Sequence, residues 1–332
     1  MEQQRRGEYA MRAGRPKVEG ESQIHAASRF DLQCAMTPFV LAHLSDPHLA
    51  PLPRPRPHEL MGKRVLGYIN WTRGRYRIHR RDVLDAVVAD ALARRPDHIA
   101  VTGDLVNIAL PGEIAHAADW LHGLGRASDI TLVPGNHDAY VPGALPAAMR
   151  AWGAYMQGDD AATTGAGFPF IRKRGPVTLI GLSSAVPTAP FMATGTLGRA
   201  QLNALDAVLS RQDGASFRVL LIHHPLRAQD RRVHARLTDA SALEQLLRRH
   251  GVDLVLHGHD HRHAVVYLDG PHARIPVVGV PSASVAADGL RTPAAYNLFS
   301  IDRRNTGWHV AMTTRGVTRQ GDITVLRTEV LR

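Results

Sequence analysis

The segment DITLVPGNHD, residues 129–138, carries the pattern that decides the fold of this chain. It begins as a short apolar run typical of a β-strand and ends in Gly135-Asn136-His137-Asp138, a cluster of polar side chains that suit metal binding. Four other segments repeat this arrangement: FVLAHLS before Asp46-Pro47-His48, HIAVT before Gly103-Asp104, FRVLLI before His223-His224-Pro225, and VDLVLH before Gly258-His259-Asp260-His261.

The regular order of strand, polar loop and helix predicts an α/β fold. Amphipathic helices are expected at RRDVLDAVVADALARR, residues 80–95, and near 112–125, 143–157, 198–211 and 238–250. This alternation indicates βαβ units and a largely parallel sheet, in which the loops at the carboxyl ends of the strands converge on one crevice. After residue 262, short strands without an obvious helix predict antiparallel strands that complete a second sheet.

Composition limits the functional classes that this chain can belong to. Its 332 residues are 44% hydrophobic, which allows a sizeable core, and no apolar run approaches the ~18 residues that span a bilayer. The formal charge of +10 favours anionic partners such as phosphate esters, nucleic acid or anionic lipid, although solubility alone is an alternative explanation. The single cysteine, Cys34, excludes an internal disulfide and fits a reducing cytoplasm.

Residues 1–37 and 38–332 are expected to form separate regions. The first 37 residues carry mixed charge without sustained periodicity, which predicts a flexible tail. Because Met36 directly precedes the first strand, an upstream mis-assigned start codon is a second interpretation. Residues 38–332 are predicted to form the folded domain.

An unusual insertion, residues 50–81, separates the first strand from its helix. It begins with the proline-rich PLPRPRPHEL and continues with MGKRVLGYINWTRGRYRIHRR, which mixes apolar and basic residues. One interpretation is a basic, amphipathic lid that grips a phosphate or lets residues 58–81 rest on an anionic membrane. The alternative is a helical cover whose arginines are solvated.

Two of the polar loops carry ligand residues two positions apart. On an extended chain such side chains point the same way, so Asp46 and His48, and likewise His259 and His261, can face the same site. Asp104 has two carboxylate oxygens and can bridge two metals. Two ions about 3.5–4 Å apart activate a bridging water and clamp the attacking and leaving oxygens of a phosphoryl displacement.

The order D-x-H, G-D, G-N-H-D, H-x-P and G-H-x-H resembles the calcineurin-like metallophosphoesterase superfamily over roughly residues 38–290. The resemblance implies a four-layer α/β/β/α sandwich, with two mixed β-sheets flanked by helices. It also implies two metal ions. One would be held by Asp46, His48 and His261, the other by Asn136, His223 and His259, and both would be bridged by Asp104.

The resemblance also implies roles for the residues beside the metals. His137 would stabilise transition-state charge or protonate the leaving oxygen, and Asp138 would orient His137 through a hydrogen bond. The family spacing favours His223 over His224, which is then expected to pack beside the site. His257 is interpreted as a buried supporting group, and His263 as a residue that either lines the cleft or lies outside it.

The function implied by the resemblance is hydrolysis of phosphodiester bonds by in-line attack of a metal-activated water. Oxygen and nitrogen ligands without a thiolate suit manganese, iron or zinc. The GDLVN and HHP motifs resemble the bacterial class III cyclic-nucleotide phosphodiesterase branch. The alternatives are a UDP-acylglucosamine-type pyrophosphatase of lipid A synthesis, which the insertion suggests, and a metal-stabilised, non-catalytic binding scaffold.

The expected partner is a small phosphate ester, and binding to nucleic acid stays open because the charge allows it. We expect a cytoplasmic protein, with a peripheral contact at the inner membrane surface if the insertion binds lipid. The sequence makes no prediction of oligomeric state.

Overall fold

The computed structural model describes residues 37–160, 167–211, 215–227 and 233–332. The predicted tail, apart from Thr37, lies outside these residues. The described strands are, in chain order, β1 (Phe39–Leu44), β2 (His98–Val101), β3 (Ile130–Leu132), β4 (Phe170–Arg174), β5 (Val177–Gly181), β6 (Phe217–Leu221), β7 (Leu254–His257), β8 (Ala264–Asp269), β9 (Arg274–Gly279), β10 (Ala295–Arg304), β11 (Gly307–Val317) and β12 (Ile323–Val330).

The described helices of eight or more residues are α1 (Lys63–Asn70), α2 (Arg81–Ala93), α3 (Pro111–Leu124), α4 (Ala144–Trp152), α5 (Gly198–Ser210) and α6 (Ala240–His250). Five of them match the helices predicted from periodicity. Helix α2 shows why, since Leu84, Val87 and Ala91 recur at helical spacing and are its buried residues. No helix among the described residues is long and apolar enough to cross a membrane.

The strands form two mixed sheets of six strands each, in the orders β12-β11-β10-β1-β2-β3 and β4-β5-β6-β7-β9-β8. In the first sheet β1, β2 and β3 are parallel, and β10 pairs antiparallel with β1. In the second sheet β5, β6, β7 and β9 are parallel, while β4 and β8 are antiparallel edge strands. The α/β fold with two mixed sheets and helices is therefore confirmed.

The late strands correct one expectation, because they do not all complete the second sheet. Only β8 and β9 join it, and β9 runs parallel to β7. Strands β10, β11 and β12 extend the first sheet, and β10 pairs with the side of β1 that β2 leaves free. The alternation within each strand identifies a strand but carries no information about which edge it joins.

The two faces of the second sheet belong to different apolar cores. In β6, Phe217, Val219 and Leu221 belong to the larger core, which also contains side chains of the first sheet. Leu220 belongs to a smaller core with Leu243 and other residues of the helices α5 and α6. This alternation is the period of two that a strand buried on both sides requires.

The insertion lies against the loop that follows β2. Arg64 of helix α1 donates two hydrogen bonds to this loop. Its Nε lies 3.1 Å from the carbonyl oxygen of Ile108, and its Nη2 lies 2.6 Å from the carbonyl oxygen of Ala109. Lys63 Nζ reaches Thr188 Oγ1 at 2.8 Å. These basic side chains fix the helix in place, so the alternative in which the basic residues of the insertion are merely solvated does not hold for Lys63 and Arg64.

Gly67 lets α1 approach this closely, and we predict that Gly67→Ala loosens the insertion. A Cβ at this position would lie 2.5 Å from Ile108 Cγ2 and 2.5 Å from Tyr140 Oη, so one of the surfaces has to shift. We expect faster hydrogen exchange across residues 63–79. The matched control is Gly123→Ala in α3, where a Cβ meets nothing within 4 Å and helix propensity favours alanine by about 1 kcal/mol. Unchanged exchange in the Gly67 variant would contradict the prediction.

Candidate metal centre

The five polar loops meet where the carboxyl ends of strands from both sheets come together. The loops after β1, β2 and β3 come from the first sheet, and those after β6 and β7 come from the second. Backbone hydrogen bonds join neighbouring loops, including Asp46 N to Gly103 O at 3.0 Å and Gly258 N to His223 O at 3.1 Å. The convergence expected at the edge of one parallel sheet therefore arises from two sheets packed face to face.

Five of the seven predicted metal ligands have left-handed backbone conformations. Their φ angles are 51° at Asp46, 39° at His48, 56° at Asp104, 71° at His259 and 53° at His261. Such conformations cost on the order of 1–3 kcal/mol each in residues other than glycine and are concentrated at functional sites. They also correct the expected geometry, because the paired ligands face one site from tightly turned rather than extended backbone.

The first group of ligand atoms lies around Nε2 of His48. The Nδ1 of this ring lies 3.0 Å from the carbonyl oxygen of Val106, to which it donates, so Nε2 keeps its lone pair. This Nε2 lies 3.3 Å from Nε2 of His261 and 3.8 Å from Oδ2 of Asp104. His261 Nε2 is in turn 3.1 Å from Oδ1 of Asp46.

The second group lies around Nε2 of His223 and shares the Asp104 oxygen with the first. Nε2 of His223 is 3.2 Å from Oδ1 of Asn136 and 3.4 Å from Oδ2 of Asp104. Nδ1 of His259 is 2.9 Å from the same Asn136 oxygen. In both histidines the other ring nitrogen faces a backbone carbonyl oxygen and donates to it, which leaves the lone pair pointing into the group.

The two groups consist almost entirely of acceptors, which is the arrangement that a cation satisfies. Oδ2 of Asp104 belongs to both groups, and ligand atoms of Asp46, Asp104 and His223 all lie within 4.8 Å of one another. Burial alone would lower the pKa of His223, but without metal the charges of Asp104 and Asp46 raise it to about 10, so a proton on the ring takes the place where a cation would bind. The field at this position therefore strongly favours positive charge, and the residues present fit two metal ions.

His137 lies beside the shared carboxylate. Its backbone N–H donates to Oδ1 of Asp104 at 2.7 Å, and its Nδ1 makes a short hydrogen bond to the carbonyl oxygen of Asn107. The ring stacks on Tyr140, with centroids 5.6 Å apart and planes 19° apart. Burial lowers the pKa of His137, and the balance of neighbouring charges leaves it at about 4.

Asp138 does not make the predicted hydrogen bond to His137. Its Oδ2 accepts from the backbone N–H groups of Asp104 at 2.9 Å and Gly135 at 2.8 Å, and its Oδ1 accepts from that of Leu105 at 2.9 Å. Burial and the charge of Asp104 raise the pKa of Asp138 to about 7, against these donors. The carboxylate therefore ties two ligand loops together, and a carbonyl oxygen orients the histidine.

The other histidines singled out in the sequence do not offer ligand atoms to the two groups. His224 uses Nδ1 with Ser184 Oγ at 2.7 Å and Nε2 with Ala193 O at 3.0 Å, which matches its expected packing role. His257 is buried against its own loop. His263 lies 3.5 Å from Glu329 of β12 and does not line the cavities at the described site.

Two residues of the insertion reach the site without having been predicted there. The ring of His79 lies 4.4 Å from that of His48, and its Nδ1 bonds Ser284 Oγ at 2.8 Å. Nη2 of Arg75 lies 3.2 Å from Nε2 of His48. The position of the insertion directly after the first ligand motif was the only sequence signal that could have indicated them.

Two adjoining cavities open from the centre. One, of about 450 Å³, is lined by Asp104, His259, His261 and neighbouring polar residues. The other, of about 730 Å³, extends under the insertion between α1 and residues 190–193. Both cavities share Arg75, Asn136 and His137, and so meet at the predicted metals.

Comparison with known proteins identifies the family. The family model for calcineurin-like phosphoesterases matches residues 39–263, well over half of the chain. The chain therefore belongs to the calcineurin-like phosphoesterase family, and its buried histidines and aspartates form the kind of site that can hold metals in a metallophosphoesterase. None of the curated proteins matches the sequence.

Solved structures agree with the fold. A dimetal phosphatase from Danio rerio superposes with a TM-score of 0.58 at 14% identity, covering 87% of this chain and 99% of that chain. The purple acid phosphatase PPD1 from yellow lupin, Lupinus luteus, superposes with a TM-score of 0.54 at 12% identity, covering 87% of this chain and 53% of that one. At such identities the likeness concerns the fold.

We predict that Asp138→Asn destabilises the metal-free protein. The substitution replaces one carboxylate oxygen of residue 138, which accepts hydrogen bonds, with an NH₂ group, which can only donate. The backbone N–H groups that faced this oxygen then lose their acceptor, and each buried group left unpaired costs about 1–3 kcal/mol. Urea unfolding measures the loss, with Asp82→Asn as the control, since Asp82 is an exposed partner of Arg80 and contributes about 0–1 kcal/mol. Equal stability of the two variants would show that Asp138 does not hold the loops together.

Proposed function

We propose that this chain hydrolyses phosphodiesters at a centre of two metal ions. The observation that carries the proposal is the pair of acceptor groups that share Oδ2 of Asp104. Two ions bound there would supply an activated water and bind the phosphoryl oxygens during in-line displacement. Asp46, His48 and His261 are assigned to one ion, and Asn136, His223 and His259 to the other. Manganese, iron and zinc all suit this donor set.

In this proposal His137 acts on the leaving oxygen in its imidazolium form, which carries a proton on both ring nitrogens, and it stabilises the charge of that oxygen or protonates it. Its Nδ1–H bond to the carbonyl oxygen of Asn107 fixes the ring, which leaves Nε2 as the nitrogen that can face a substrate. Stacking on Tyr140 holds the ring plane. Asp138 acts indirectly by holding the loops that carry Asp104 and Asn136.

Preference for a diester is supported by the two cavities that meet at the centre. A phosphodiester carries substituents on both sides of phosphorus, and the cavities of about 450 and 730 Å³ share Asn136 and His137. A phosphate monoester has a single substituent and needs only one of them. The GDLVN and HHP motifs, which resemble the cyclic-nucleotide phosphodiesterase branch, point the same way.

A second candidate is a pyrophosphatase that cleaves a UDP-linked acylated glucosamine. The larger cavity favours it, because exposed apolar side chains line that cavity on both walls: Leu66 and Ile69 of α1, and Phe191 and Met192 opposite. Phe191 is 85% exposed and gives this wall a large apolar surface. In this candidate the acyl chains occupy the cavity, and residues 58–81 approach a membrane surface.

The first experiment compares bis(p-nitrophenyl) phosphate with p-nitrophenyl phosphate as substrates for metal-stripped protein reloaded with Mn²⁺. We expect the diester to be cleaved faster and Asp104→Asn to reduce the rate at least about 100-fold, because it removes charge shared by both ions. Asp129→Asn, at an exposed ion pair with Arg126, is the control. A faster monoester reaction would refute the diester preference, and no turnover at all would favour the scaffold.

The second candidate predicts a selective effect of the apolar cavity wall. We expect Phe191→Ser to lower kcat/KM for a UDP-linked diacylglucosamine about tenfold, the scale of losing apolar contact in a binding pocket. Hydrolysis of bis(p-nitrophenyl) phosphate should stay within about twofold, since a nitrophenyl group is much shorter than an acyl chain and fills less of the cavity. Val325→Ser on β12, another exposed apolar position, is the control. Equal loss on both substrates would contradict an acyl-binding role.

A further inference from the structure

Arg75, the last residue of the turn Trp71–Arg75, extends from the insertion into the metal centre. It lines both cavities that open there, together with Asn136 and His137. Arg75 comes from outside the five ligand loops, so the family pattern of the sequence gives no reason to expect it here. Its position places a permanent positive charge where the two cavities meet.

The guanidinium of Arg75 is partly exposed to the cavities and has few protein partners. Its Nη2 lies 3.2 Å from Nε2 and 3.3 Å from Nδ1 of His48, but that Nδ1 donates to the carbonyl oxygen of Val106 and cannot accept. Its Nε is buried without a hydrogen-bond partner. Among the described residues, the structure records no ion pair between Arg75 and a carboxylate within 4.0 Å.

A guanidinium stays charged in proteins, and it is unfavourable where part of it is removed from water without a counter-ion. Retaining such a group at a centre for phosphate esters is understandable if an anionic ligand pairs with it during function. The planar fork of N–H donors matches two oxygens of a phosphate.

The backbone on both sides of Arg75 is fixed, so the side chain is positioned in advance. On the N-terminal side, Trp71 is 7% exposed and anchors the turn. On the C-terminal side, Arg80 N bonds Ser284 O at 2.9 Å and His79 Nδ1 bonds Ser284 Oγ at 2.8 Å. A catalytic contact carried by such a frame loses little conformational entropy when substrate binds.

We propose that Arg75 is a catalytic residue that binds the non-bridging oxygens of the substrate phosphate at the metal centre. This inference rests on the proposed phosphoesterase function and adds a residue from the insertion to it. The guanidinium neutralises charge on the phosphoryl oxygens as the leaving oxygen departs. The insertion then completes the active site, in addition to covering it.

The test measures phosphate binding and turnover by the full chain loaded with Mn²⁺. The variants are Arg75→Ala, Arg75→Lys and the control Arg77→Ala, which removes an exposed arginine two residues away that contacts only Tyr76 among its recorded side-chain bonds. We expect all of them to keep wild-type metal content. Arg75→Ala should weaken binding of inorganic phosphate about 30-fold, as measured by calorimetry, because a charge-assisted hydrogen bond is lost.

Turnover separates a substrate contact from a structural role. Arg75→Ala should lower kcat for bis(p-nitrophenyl) phosphate about 100-fold, the scale seen when one preorganised donor is removed. Arg75→Lys should recover only part of this, since lysine keeps the charge but not the fork. Arg77→Ala should remain within about twofold for both measurements.

Three outcomes would overturn the inference. They are phosphate affinity and turnover of Arg75→Ala equal to wild type, a loss of bound metal in Arg75→Ala that accounts for its loss of turnover, and equal effects of Arg75→Ala and Arg77→Ala. Failure of the proposed function gives a different result from failure of the inference about Arg75. A wild-type protein that cleaves no diester, but binds phosphate in a way that depends on Arg75, would refute diester hydrolysis and support the phosphate contact.

Discussion

The structure of the site depends on bringing buried acceptor atoms together around a single carboxylate oxygen, Oδ2 of Asp104. Such atoms repel one another unless positive charge lies among them, so the chain has to hold them by other means. Backbone carbonyl oxygens fix the tautomers of His48, His223 and His259, which aims each free lone pair inward. The carboxylate of Asp138 binds the loop N–H groups and keeps the loops themselves from separating.

This arrangement explains why strained backbone is concentrated at the ligands. Left-handed conformations at Asp46, Asp104 and His259 turn the chain sharply enough for loops from two sheets to reach the same point. A side chain at Gly135 would collide with Asp104, which shows how close two of these loops come. The mutual repulsion of the ligands favours the metal-bound state, and a cation that binds only the folded protein stabilises it by mass action, which offsets the cost of the strained backbone.

Much of the fold could be predicted from the sequence because it follows from local patterns. Apolar runs followed by polar loops predicted the strands and the residues that meet at the site, and the family resemblance supplied the proposed ligand roles. Pairing between distant strands could not be predicted in the same way. Strand β10 joins β1 across more than 250 residues, and nothing in its own alternation distinguishes that edge from one in the other sheet.

The same limit applies to contacts that depend on tertiary structure. The family resemblance implied a hydrogen bond between His137 and Asp138, yet the Asp138 carboxylate accepts from the backbone N–H groups of Asp104 and Gly135, and the imidazole bonds the carbonyl oxygen of Asn107. Arg75 likewise belongs to a stretch where many basic residues look equivalent. It differs from its neighbour Arg77 only because the turn that follows Trp71 directs one guanidinium inward and leaves the other in solvent. The substrate contact proposed for Arg75 therefore depends on the anchoring of the insertion to the domain more than on its composition.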